Sequence, residues 1–171
     1  MIAFILLFCG TLIGSGSAQH AYCNMTLTVK STTISALNAS LVKMVQSRQG
    51  FTSSTCVYAS MQNEFCGYSV VSVSASLDHF QHETPTHHYV DDIEFFDWKQ
   101  SGSDVVVGAG SRSEPTSLYD YDTNFCNIFN LFRNGNVSKL NFDFDVKYDG
   151  CPFHPSTSNG YGPAYTTCNT Y

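Results

Sequence analysis

The stretch from Tyr119 to Cys151, YDYDTNFCNIFNLFRNGNVSKLNFDFDVKYDGC, changes its period in the middle. From Leu140 to Tyr148, Leu140, Phe142, Phe144, Val146 and Tyr148 alternate with Asn141, Asp143, Asp145 and Lys147. Period two with aromatic and branched residues predicts a strand with one buried and one wet face. From Asn124 to Arg133 the spacing is helical. Phe125, Ile128, Phe129, Leu131 and Phe132 share one side, and Asn127, Asn130 and Arg133 share the other. Asn134-Gly135-Asn136 ends that helix, because glycine tolerates the left-handed conformation of a helix stop. Asparagine is a poor helix former, so so short a helix needs a packing surface. The sheet containing the following strand is the expected partner. Helix on sheet, rather than helix on helix, is therefore the architecture.

Residues 1–18 have the form of a secretory leader, with an apolar run from Ile2 to Ile13 and small residues at Gly16 and Ala18. The run is too short to cross a bilayer, and no later segment is long and apolar enough to do so. The expected organisation is a leader over 1–18 and one exported, extracellular domain over 19–171. Cys9 leaves with the leader; Cys23, Cys56, Cys66, Cys126, Cys151 and Cys168 remain as an even set. Such a set in an exported chain predicts three disulfides, in any of fifteen connectivities. Cys151 and Cys168 are the expected pair around the Pro-, Gly- and Ser-rich tail. Three glycosylation triplets, at Asn24, Asn38 and Asn136, fit the same compartment.

The remaining elements follow from spacing. Met25–Val29 is expected as a short strand. Ile34, Leu37, Leu41, Met44 and Val45 predict a helix over 33–48, closed by Gly50. Asn38 lies at the edge of its apolar stripe, so a glycan there requires that edge to face water. Val71, Val73, Ala75 and Leu77 alternate with serines as a strand, Tyr89–Trp98 forms another, and Val105–Val107 a third. Gly108 to Pro115 is expected as a loop. The fold class is thus α+β: a single disulfide-bonded domain, with an antiparallel sheet of about five to seven strands and two packed helices. The alternative is an all-β barrel of lipocalin type, which suits the size, although no Gly-x-Trp occurs near the N-terminus and Trp98 stands mid-chain.

Charge narrows the function. No Lys or Arg occurs between Arg48 and Lys99, while Glu64, Asp78, Glu83, Asp91, Asp92, Glu94 and Asp97 fall there with four histidines. An acidic face attracts cations and repels nucleic acid, whose phosphates need a basic surface; a solvated acidic surface that aids solubility has the same composition. In Asp78-His-Phe-Gln-His82-Glu-Thr-Pro-Thr-His87-His88, a hairpin loop over 83–86 would set His82 opposite His87. Those two are the candidate metal ligands, although histidines at a loop tip are more often plain surface residues. Asp120-Tyr-Asp122-Thr-Asn124 opens like a calcium loop, but Phe125 and Leu131 stand where Gly and Glu are required, so capping of the following helix is the better reading. No cofactor is expected. Tyr89, Phe96 and Trp98 beside acids are candidates for holding an amphipathic or cationic ligand, since rings and carboxylates both stabilise a cation. The expected function is non-catalytic binding of such a small molecule, or of an extracellular protein. The alternative is a small secreted hydrolase with an unrecognised carboxylate site. No Gly-x-Ser-x-Gly or distinctive nucleophile supports catalysis, and Asp143 and Asp145 lie on a strand's wet face.

Overall fold

The computed structural model describes residues 20–52, 54–56, 65–114, 123–132, 142–151 and 168. In chain order it contains β1 (Tyr22–Val29), α1 (Ile34–Gln46), β2 (Tyr68–Val73), β3 (Leu77–Glu83), β4 (Val90–Ser101), β5 (Asp104–Ser113), α2 (Thr123–Asn130) and β6 (Phe144–Gly150). The strands form one antiparallel sheet in the order β2-β3-β4-β5-β1-β6, open at both edges and not closed into a barrel. Three disulfides pin it: Cys23–Cys151, Cys56–Cys66 and Cys126–Cys168. The structure is the disulfide-bonded α+β domain that the two periodicities imply.

Both helices pack on one face of the sheet. Thr33 caps α1 by accepting a hydrogen bond from the Ala36 amide at 3.2 Å, and Lys43 favours the negative end of the helix dipole. Leu37, Leu41 and Val45, four residues apart, are its buried stripe. They join Met25, Leu27 and Val29 of β1, Phe80 of β3, Ile93 and Phe95 of β4, and Val105, Val107 and Ala109 of β5 in one core. α2 adds Phe125, Ile128, Phe129 and the following Leu131 and Phe132. At about 1.5–3 kcal/mol per buried large apolar side chain, this shared layer drives folding.

The opposite sheet face has no helix over it among the described residues. It carries Tyr22, Asn24, Thr26 and Thr28 from β1, and Val106, Gly108, Gly110 and Arg112 from β5. Asp92, Glu94 and Phe96 of β4 and His79, Gln81 and Glu83 of β3 complete it, by the alternation of the strands. The acidic stretch is therefore split by the pleat. Asp78 and Asp91 point under the helices and are buried, while Asp92, Glu94 and Glu83 face outward.

Several expectations are corrected. The alternation around Val71–Leu77 spans a turn: Ser74 accepts bonds from the Leu77 and Ser76 amides and reverses the chain between β2 and β3. The β3–β4 connection spans residues 84–89 rather than 83–86, so His82 pairs with Asp91 across the ladder, not with His87. Gly108 to Ser113 is strand, not loop, because β1 pairs with it along its full length. Cys151 bonds Cys23 and Cys168 bonds Cys126, so the expected Cys151–Cys168 pair does not form. Asn127 and Asn130 are buried rather than on a wet face, since α2 is enclosed on all sides. Phe144, Val146 and Tyr148 are half-buried, because β6 is an edge strand. Residues 1–18, read above as a leader, lie outside the described residues, as do Asn136, Asp120–Asp122, Glu64 and most of the tail.

Candidate functional site

The open sheet face contains a hollow of about 360 Å³ lined by Tyr22, Asn24, Asp92, Glu94, Phe96, Gly110, Ser111 and Arg112. Its floor exists because β5 presents two glycines there. A Cβ on Gly108 would lie 2.5 Å from the Phe96 ring, and one on Gly110 would lie 2.8 Å from the Asn24 Oδ1. Any larger residue would lift the ring off the sheet or fill the hollow. Phe96 thus lies flat across β5, with Glu94 directly opposite Gly110 and Asp92 opposite Arg112.

The hollow has a distinct charge pattern. Asp92 receives hydrogen bonds from Gln81 at 3.0 Å and pairs with His79 at 2.8 Å. The side chains of Glu94 and Arg112 make no hydrogen bond or ion pair among the described residues. Two carboxylates, one guanidinium and two rings therefore converge on a depression with a glycine floor. Such a surface suits a flat or apolar body carrying a cationic group, and an open site of this kind binds weakly.

A second hollow of about 210 Å³ lies toward the other edge, lined by residues including Phe51, Gly67, Tyr68, Glu83 and Val90. Glu83 is hydrogen-bonded to His88, and the His88 ring meets Phe51 edge-on. Its lining carries one carboxylate, already engaged.

The sequence-named ligand residues do not gather. Phe96 lines the main hollow. Tyr89, 53% exposed, stacks on His87 in the turn before β4. Trp98 turns back toward the core through a bulge at Asp97, where φ is +54°, and its indole donates to the Phe95 carbonyl. His82 is buried against the Tyr68 ring while His87 is exposed, so the two metal candidates are apart. No group of three or more potential metal ligands occurs among the described residues. Tyr22, Gly110 and Arg112 were not foreseen as a site, and Asn24 was foreseen only as a glycosylation triplet. Their signal was the Gly108-Ala-Gly110 spacing, which marks a close approach inside a strand.

A polar cluster lies on the other side of the sheet, sealed under α2. Asn127 donates to Asp91 at 2.8 Å and to Ser111 at 3.2 Å; Ser111 donates to Asn124 at 2.7 Å, which in turn donates to Ser113 at 3.1 Å. Tyr68 and Arg48 donate to the carbonyls of Asn127 and Asn130. Buried polar groups persist only when satisfied, and this network fastens α2 to the sheet.

Asn38 and Asn24 use their amides differently. Asn38 on α1 donates from Nδ2 to the buried Asp78 at 2.7 Å, and Ser40 of the same triplet donates to the Ala36 carbonyl. The Asn24 carboxamide leans over Gly110 without a hydrogen bond among the described residues. Comparison with known proteins returns no matching family model, no matching curated protein and no matching solved structure.

Proposed function

We propose that this protein is an exported, non-catalytic binding module whose open sheet face holds a small amphipathic cation. The observation that carries the reading is the glycine-floored hollow in which Phe96 and Tyr22 flank Asp92 and Glu94. An ammonium group set between those carboxylates gains from both charges and from the Phe96 ring face, while an apolar body rests over Gly110. The disulfides fit an oxidising compartment, and no helix among the described residues is long and apolar enough to cross a membrane. The hydrolase alternative needs an accessible carboxyl held in an apolar niche. Asp91 is instead committed to Asn127 beneath α2, and Asp92 and Glu94 stand on an open face.

Calorimetric titration with 2-phenylethylammonium tests this, with 3-phenylpropionate as the anion of matching shape. The cation should bind with a Kd near the millimolar range. Glu94→Gln should weaken it about two- to fivefold and Phe96→Ala about fivefold, and salt should reduce it. Equal binding of cation and anion, or indifference to both substitutions, would remove the reading.

A further inference from the structure

We propose that Asn24 carries an N-linked glycan whose first N-acetylglucosamine lies in the hollow over Gly110, so that sugar and ligand compete for one seat. Asn24-Met25-Thr26 is an acceptor triplet placed on β1 with Asn24 on the open face. Period two along β1 puts Tyr22, 37% exposed, on the same face immediately before it. Across β5, Glu94 stands opposite Gly110, and the Phe96 ring comes within 3.7 Å of where a Gly110 Cβ would be. A sugar attached at Asn24 and lying toward β4 therefore meets a floor without side chains and a ring at each end. The apolar C–H face of a pyranose packs on such rings. Its hydroxyls and acetamide face Glu94 and Arg112, whose side chains are otherwise uncommitted among the described residues.

The attachment is ordinary acceptor chemistry on the unfolded chain. The Asn24 Nδ2–H bond breaks and an N–C1 bond to the sugar forms. The sugar leaves a lipid diphosphate-linked oligosaccharide donor, and the diphosphate departs with the proton. Asn38 differs in the folded state, because its Nδ2 points at the fully buried Asp78. A sugar on that nitrogen would crowd the carboxylate it serves. The competition rests on the ligand reading above; the attachment and the seating do not.

The full chain is produced in a glycosylating secretory host, trimmed enzymatically to a single N-acetylglucosamine, and compared with Asn24→Gln. Peptide mass mapping should find Asn24 modified. Nuclear Overhauser contacts should link the sugar to the Phe96 ring and the Gly110 α-protons. The trimmed protein should melt about 2 °C or more above Asn24→Gln, a gain that Phe96→Ala abolishes without changing attachment. Binding of 2-phenylethylammonium should be at least fivefold tighter in the unglycosylated, disulfide-intact wild-type chain than in the trimmed protein. An unmodified Asn24 overturns the attachment. A modified Asn24 without Overhauser contacts to the hollow overturns the seating, even if Phe96→Ala does not fold. Equal binding by the two forms, with the contacts present, overturns the competition. Failure of the cation to bind either form sinks the ligand reading and the competition with it, while mass and Overhauser data still decide attachment and seating.

Discussion

Asp78 is a carboxylate with no exposure to water, lying beneath α1 with one oxygen held by Asn38. Burial holds its carboxyl above the usual carboxylate range, against the opposing pull of the Asn38 amide and the Ser74 backbone. A raised folded pKa contributes stability that is complete below the unfolded value and lost as pH rises through the folded value. Asp78→Asn should therefore raise Tm at pH 7.5 more than at pH 3.5, measured by thermal unfolding at both. Equal shifts at both would mean that Asp78 ionises without penalty. Asp104 and Asp149 have the opposite sign. The Ser31 amide and the Ser103 hydroxyl hold Asp104 below its ordinary value, and Thr26 and Lys147 do so for Asp149. What they contribute is present above the unfolded carboxylate value and fades as pH falls through the lowered one. Arg112 was invisible as a site residue, and Glu94 was visible only as part of the acidic stretch, because a single strand does not show which residue stands opposite on its neighbour.

Among the elements, α2 shows most plainly where pattern ends and partnership begins. Its apolar side was legible, since Phe125, Ile128, Phe129 and Phe132 recur at helical spacing. Its asparagines looked wet because their partners, Asp91 and Ser111, are remote in sequence. Asn127→Ala should destabilise the protein by about 1–3 kcal/mol, as much as many core truncations, because it strips bonds from buried groups. Denaturant unfolding would check this, and a change under about 0.5 kcal/mol would be that of an ordinary surface site. β1, α1, β4 and β6 were legible from alternation or helical spacing, with ends displaced by a few residues. The second half of β5 was not, because its outward positions are Gly108, Gly110 and Arg112 and its inward ones Ala109, Ser111 and Ser113, which give no apolar alternation. β6 is an edge strand, and Phe144 rests against Phe132 with ring centroids 4.9 Å apart while remaining half-buried. Phe144→Ala should accordingly cost less than Phe132→Ala, which should lose about 3–5 kcal/mol.

At the scale of the whole molecule, the sheet divides the work: one face packs against the helices, and the other is uncovered by any helix among the described residues. Cys23–Cys151 ties β1 to the end of β6 across 128 residues of sequence, whereas Cys56–Cys66 closes only 10. By loop-closure entropy the first is worth about 5 kcal/mol and the second about 3. Replacing Cys23 and Cys151 by Ser should thus lower stability more than replacing Cys56 and Cys66. Binding depends on the outward face retaining its hollow between β1, β5 and β4. The most direct measurement is a two-dimensional NMR titration of the unglycosylated, disulfide-intact protein with 2-phenylethylammonium. Saturable shifts should cluster at Tyr22, Glu94, Phe96, Gly110 and Arg112, and leave Tyr89 and Trp98 unmoved. Shifts gathered around His87 and Tyr89, or no saturable shifts at all, would contradict the account.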